Sequence, residues 1–311
     1  MVKFNIMRKI FGFGAFLFIS TSLLSQEKEL SFSIDKKKNI QARCELVLNE
    51  EFNGSSLNED VWFVREGVTR DAQQKITQQW LTKESISVHG GKALIQTTVN
   101  KRVNQPFSVW ITDGMKPFTG NFGFDTGEFE SKKDFFYGYY EIKCKLPKGH
   151  SAWPAFWLYG EANGTNNEID VFEFWNEENA VGKFSASKLS RIQHMTTHYN
   201  KRMDGKGVRL EFDASQDFHT YGVLWTPQVI IWYTDGTEMR RLYKYEKRAQ
   251  RFNENCEGCK EGVFPQSPMK IIVDMAVQQA SIEIPKWENT VFEIEYIRGY
   301  SLNKTDSKTL K

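Results

Sequence analysis

The 311-residue chain lacks a strong excess of charge of either sign: 41 Lys and Arg stand against 39 Asp and Glu, a formal charge of +2. That balance gives no reason to expect nucleic acid or an anionic membrane surface as a partner. No long apolar run follows the N-terminal region, so no membrane span is expected in the rest of the chain. Internal repeats and low-complexity linkers are missing, which leaves a single domain as the simplest reading. Helical periodicity is scarce, and residues 71–82 are the best helix candidate. Cysteines are few: Cys44, Cys144, Cys256 and Cys259. One Cys-x-x-Cys without a second pair is a weak basis for zinc, so Cys256 and Cys259 are expected to form a local disulfide or stay free. Cys144 falls between Ile142 and Leu146 on the apolar side of a strand and is expected in the core.

Aromatic residues are plentiful, 14% of the chain with nine Trp. They serve either a large core or flat platforms for sugar rings. The first 25 residues read as a secretory signal: Lys3, Arg8 and Lys9, then an apolar stretch from Ile10 to about Leu24. Cleavage is expected between Ser20 and Gln26, and no Cys lies there to carry a lipid. The mature protein is therefore expected to be secreted or periplasmic, and monomeric. Residues 40–301 are expected to form the domain, and 302–311 a frayed polar tail.

Within the domain, short β-forming runs alternate with Gly, Asn and Asp turns, the pattern of an all-β fold. Ser85–Val88 and Ala93–Val99 flank His89-Gly90-Gly91 as a hairpin. Between Tyr139 and Leu146, Tyr140, Ile142, Cys144 and Leu146 share one face and Glu141, Lys143 and Lys145 the other, a half-buried strand. Thr220–Trp225 and Val229–Thr234 read as two more strands, after which Asp235-Gly236 turns the chain. Met269–Val277 and Val291–Tyr300 look like closing strands. Two curved antiparallel sheets packed face to face, with an open cleft, account for this pattern.

The informative segment runs from Asn167 to Trp175, with Glu168, Asp170 and Glu173 among strong β-formers. On a regular strand Glu168 and Asp170 point one way and Glu173 points into the core. A one-residue bulge near Val171-Phe172 returns Glu173 to the acidic face and sends Ile169, Phe172 and Phe174 inward. Two Glu on a concave strand can bring their carboxyls to about 5–5.5 Å, the separation that serves a retaining glycosidase. Glu168 is then the nucleophile and Glu173 the acid/base. Asp170 between them is expected to raise its neighbours' pKa by repulsion. A solvated strand edge or a calcium site is the bland alternative. The nearby aromatic block Trp153-Pro154-Ala155-Phe156-Trp157 argues against both.

These residues resemble glycoside hydrolase family 16. The match lies in Leu146-Pro147-Lys148-Gly149, Trp153 to Trp157 and the Glu-x-Asp-x-x-Glu strand. It extends to Glu50-Glu51-Phe52-Asn53-Gly54, to Asp217-Phe218-His219-Thr220-Tyr221 and to Glu295-Tyr296-Ile297-Arg298. The resemblance implies a β-jelly roll, retaining endo-cleavage and no cofactor for catalysis. It implies Trp153, Trp157, Trp175 and His198 as sugar contacts, and a structural role for His219. It also implies a structural calcium held by Glu51 and Glu295, although the family commonly has Asp at the latter position. The aromatic block is most similar to laminarinases, which implies a β-1,3-glucan substrate. Agar-, porphyran- or carrageenan-type galactans are the alternative. Glu128, where laminarinase-like members often have Arg, and the segments 100–125 and 253–264 depart from that pattern. A non-catalytic carbohydrate-binding sandwich is a third reading, and a transglycosylase shares all the chemistry up to the acceptor.

Overall fold

The computed structural model describes residues 28–35, 40–68, 79–111, 114–148, 152–174, 190–245, 261–277, 290–304 and 306. Their strands form two sheets packed face to face. The cleft sheet runs in the order β13 (Arg202–Arg209), β12 (Ile192–Tyr199), β11 (Thr165–Glu173), β10 (Ala152–Ala162), β17 (Lys270–Val277), β8 (Glu128–Ser131) and β3 (Trp62–Val64). The outer sheet follows the path β16 (Thr237–Tyr243), β15 (Val229–Thr234), β14 (His219–Trp225), β9 (Gly138–Lys145), β18 (Thr290–Leu302), β6 (Lys92–Ile111), β7 (Gly114–Thr126) and β4 (Gln79–Leu81). Three further strands, β1 (Glu29–Asp35), β2 (Ile40–Glu50) and β5 (Ile86–His89), attach to it. Pairing is antiparallel except between β4 and β7. Neighbours in space are often distant in sequence, as in a jelly roll.

Alternation explains the core. Phe156 and Leu158 of β10, with Ile169 and Phe172 of β11, point away from the cleft and are fully buried. They meet Tyr221, Val223, Phe292 and Ile294 of the outer sheet in one apolar cluster. Phe172 lies edge-on to Tyr221 with ring centroids 4.8 Å apart. Asp235 and Gly236, both at positive φ, make the tight turn between β15 and β16 that a two-residue hairpin requires.

The structure departs from the sequence reading in three places. Of the helix expected over 71–82, residues 71–78 lie outside the described set, and Gln79–Leu81 is a strand paired with β7. Strand β9 is half-exposed only at Lys143 and Lys145; Tyr139 and Glu141 on the same outward face are buried. A second apolar cluster covers that face, with Ile34, Tyr139, Leu224, Ile231 and Tyr300. Phe32 of β1 closes over it, 4.6 Å from the Tyr139 ring, so the fold extends beyond an N-terminal limit at 40. The C-terminal segment is tied down too. Leu302 still belongs to β18, and the Asp306 carboxylate accepts from Arg43 Nε and Nη2 at 3.1 and 2.9 Å. Cys44 and Cys144 are both buried free thiols; Cys256 and Cys259 lie outside the described residues.

Candidate active site

Strand β11 carries the three acids. In its ladder with β12, Asp170 stands opposite Thr196 and Glu173 opposite His194, so Val171 and Phe172 together face Met195 alone. The ladder with β10 shifts at the same point, between Phe156–Phe172 and Trp157–Asp170. This is the one-residue bulge that polarity demands. Ile169, Val171, Phe172 and Phe174 all enter the core, while Glu168, Asp170 and Glu173 line a cleft of about 1150 Å³.

The three carboxyls differ in environment. Asp170 is 3% exposed and its Oδ2 is buried without a hydrogen-bond partner. Burial, then the charge of Glu173, pushes the Asp170 pKa well above the usual carboxylate range. The upward shift thus falls on Asp170 itself, with burial its larger cause. His198 Nε2 lies 3.4 Å from Glu168 Oε1 and 3.5 Å from Asp170 Oδ2. Glu168, Asp170 and His198 offer donor atoms within 4.8 Å of one another.

Next to the acids stand the aromatic side chains of β10. Trp153 Nε1 donates to Glu173 Oε1 at 3.0 Å. Trp157 Nε1 donates to Asp274 Oδ1 at 2.9 Å, and its ring lies edge-on to Tyr159 at 5.8 Å. Both Trp line the cleft rather than the core. Trp175 lies outside the described residues. His219 does not reach the cleft; its Nδ1 is 2.7 Å from Asp235 Oδ2 and its ring stacks on Phe212 at 3.6 Å.

Three features escaped the sequence reading. His194 lines the cleft opposite Glu173, and burial lowers its pKa to about 4, so it is neutral at physiological pH. It lies four residues before His198 on the same strand face, which was the available signal. Asp274 of β17 holds Trp157. Arg65 bonds Glu128 Oε1 at 2.7 Å and Glu130 Oε2 at 2.8 Å, so the cationic group missing at position 128 arrives from beyond the end of β3. The segment 100–125, singled out in the sequence, lies in the long β6–β7 hairpin and brings Phe107 and Met115 to the rim of the cleft.

The two acids expected to hold calcium are each engaged by a cation. Glu51 accepts from Arg298 Nε at 2.9 Å, and Glu295 pairs with Lys143 Nζ at 2.6 Å.

Among the described residues, the cleft lining is acidic. Beyond Glu168, Asp170 and Glu173 it includes Glu66, Glu128, Glu130, Glu161 and Asp274, against Arg65, Lys206 and Lys270. On a chain of near-zero net charge, that is a concentrated negative field.

Comparison with known proteins agrees with this geometry. A curated relative, a glucan endo-1,3-beta-glucosidase of Cryptopygus antarcticus, is 27% identical over 213 residues, covering 62% of this chain and 72% of that protein. Xyloglucan endotransglucosylase protein 7 of Diospyros kaki is 38% identical over 130 residues, but the match spans only 40% of this chain and 44% of that protein. The laminarinase catalytic domain of Thermotoga maritima superposes with a TM-score of 0.61 at 23% identity, over 83% of this chain and 98% of that one. The family model "Glycosyl hydrolases family 16" matches residues 74–298. That match takes in most of the chain, including the bulged acidic strand and the tryptophan strand beside it, and this protein belongs to glycosyl hydrolase family 16.

Proposed function

We propose that this glycoside hydrolase is a secreted, retaining endo-enzyme that cleaves a β-1,3-glucan. Glu168 attacks the anomeric carbon and Glu173 protonates the departing oxygen, then activates the water that releases the sugar. The observation that carries this reading is the bulge: it puts Glu168 and Glu173 on one cleft wall with Asp170, its pKa raised by burial, between them. A protonated Asp170 can donate a hydrogen bond towards the charge of Glu168. Trp153 and Trp157 give flat faces for sugar rings, and His198 reaches the hydroxyls or the nucleophile. Catalysis in this family needs no cofactor. Calcium remains a separate proposal, and a chelator that leaves the melting temperature unchanged would count against it. Export rests on the basic and apolar N-terminal residues, and N-terminal sequencing of the secreted protein tests it.

The substrate follows from charge. Among the described residues, acids other than Asp170 outnumber bases along the cleft, seven to three, which disfavours sulfated or uronate chains and suits a neutral polysaccharide. The glucan-cleaving relative supports β-1,3-linked glucose. The transglucosylase relative keeps sugar transfer as a second reading, because transfer differs only in whether water or a sugar alcohol takes the glycosyl group. Reducing ends should appear on laminarin and not on carrageenan or porphyran. Release from a sulfated galactan alone would overturn the substrate reading. Longer products at excess acceptor oligosaccharide would favour transfer.

A further inference from the structure

The bulge at Val171 is held from beneath by side chains that never reach the cleft. A bulge takes backbone groups out of the ladder, and a buried carbonyl without a donor is costly. Trp232 and Thr234 stand two residues apart on β15, hence on one face of it. From there they reach across the core to β11 and β12. Trp232 Nε1 donates to Asp170 O at 2.8 Å. Thr234 Oγ1 donates to Gln193 Oε1 at 2.6 Å, and Gln193 Nε2 donates to Val171 O at 3.1 Å. A carbonyl can only accept, so the Gln193 amide has one orientation that satisfies both ends. Gln193 and Trp232 are fully buried and Thr234 nearly so. The Arg240 guanidinium sits 4.8 Å over the Trp232 ring and is anchored by Asp204 at 2.6 Å, which packs the indole from its other side.

We propose that Gln193, with Thr234 and Trp232, forms a clamp that positions Glu173 relative to Glu168. The two donors grip successive carbonyls, on either side of the extra residue. Without them the bulge can relax, and a slip of one residue turns Glu173 towards the core. These are positioning residues, because none touches the cleft. The inference rests on the reading of Glu168 and Glu173 as the reacting pair.

The test compares two variants of β12. Gln193→Met keeps the bulk and removes two of the clamp's three bonds, leaving that of Trp232. Thr197→Val removes another buried bond of the same strand, Thr197 Oγ1 to Val263 O at 2.8 Å, away from the bulge. Both should lower the melting temperature. Only Gln193→Met should lower kcat, about 10- to 100-fold with little change in KM, as misplacement of a reacting group does. It should also move the acid/base limb of the pH–rate profile. Thr234→Val, a smaller change, should shift both in the same direction, and it decides the matter should Gln193→Met not fold. A kcat and pH profile indistinguishable from those of Thr197→Val would overturn the clamp. Glu173→Gln is measured alongside. Hydrolysis that survives in Glu173→Gln means the assignment of the pair has failed, and the clamp falls with it; an inactive Glu173→Gln leaves the clamp to be judged on its own variants.

Discussion

The indole N–H of Trp153 donates to Glu173 Oε1 across 3.0 Å, joining the first aromatic residue of β10 to the last acid of β11. Trp153 therefore does two things: its ring offers a sugar platform and its nitrogen orients the acid/base. The two separate by mutation. Trp153→Phe keeps a flat ring and loses the donor, and a hydrogen bond to a charged group is worth about 1.5–3 kcal/mol. Its kcat should fall about tenfold or more, with KM little changed. Trp153→Ala should raise KM as well. An unchanged kcat in Trp153→Phe would mean that the contact does not orient Glu173.

Asp170→Asn should make the protein more stable and less active. The folded state holds the Asp170 proton at a pH where the unfolded chain, with a pKa of about 3.9, has released it. The unfolded state then binds fewer protons than the folded one, so stability falls as pH rises above that value. Asn carries no such cost. Its melting temperature should exceed that of the parent at pH 7 and converge with it towards pH 4, while kcat drops. Melting curves over that range check this; an offset independent of pH would contradict it.

His194 has the opposite sign. Burial lowers its pKa to about 4, below the ordinary value of about 6.5. Between those values the unfolded chain binds the extra proton, so stability falls as pH drops through this window. His194→Gln should flatten the decline between pH 6.5 and 4. A variant whose melting temperature falls as steeply as that of the parent would show that His194 is not the group responsible.

Asp306 ties the C-terminal segment to β2 through Arg43, and the Asn303 N–H also donates to Arg43 O at 2.8 Å. Both contacts lie on the outer sheet, away from the cleft. Truncation after Leu302 should lower the melting temperature and leave kcat and KM as they are. Loss of activity in the folded truncated protein would place the segment closer to the site than this account allows.

Much of this was legible in the chain because of conflict as well as pattern. Alternation between Tyr140 and Leu146 marked a core strand, and Glu173, out of phase with Glu168, had to be rescued by a bulge or be buried as a charge. Partners set by register were not legible. Asp274 meets Trp157 because β17 runs beside β10, and Arg65 meets Glu128 because β3 runs beside β8. Trp232 reaches Asp170 across 62 positions of sequence. Burial of the polar face of β9 depended on β1 folding over it, and β1 precedes the region expected to form the domain. The acidic field of the cleft was hidden as well, since a net charge of +2 averages over a surface where the signs are segregated.

The central claim is that Glu168 and Glu173 act as a retaining pair on a neutral β-glucan. Proton NMR of the first product released from laminarin, with Glu168→Gln beside the parent, tests it most directly. The account predicts that the β-anomer appears first and mutarotates later, and that Glu168→Gln releases nothing. An α-anomer formed first, or hydrolysis undiminished in Glu168→Gln, would contradict it.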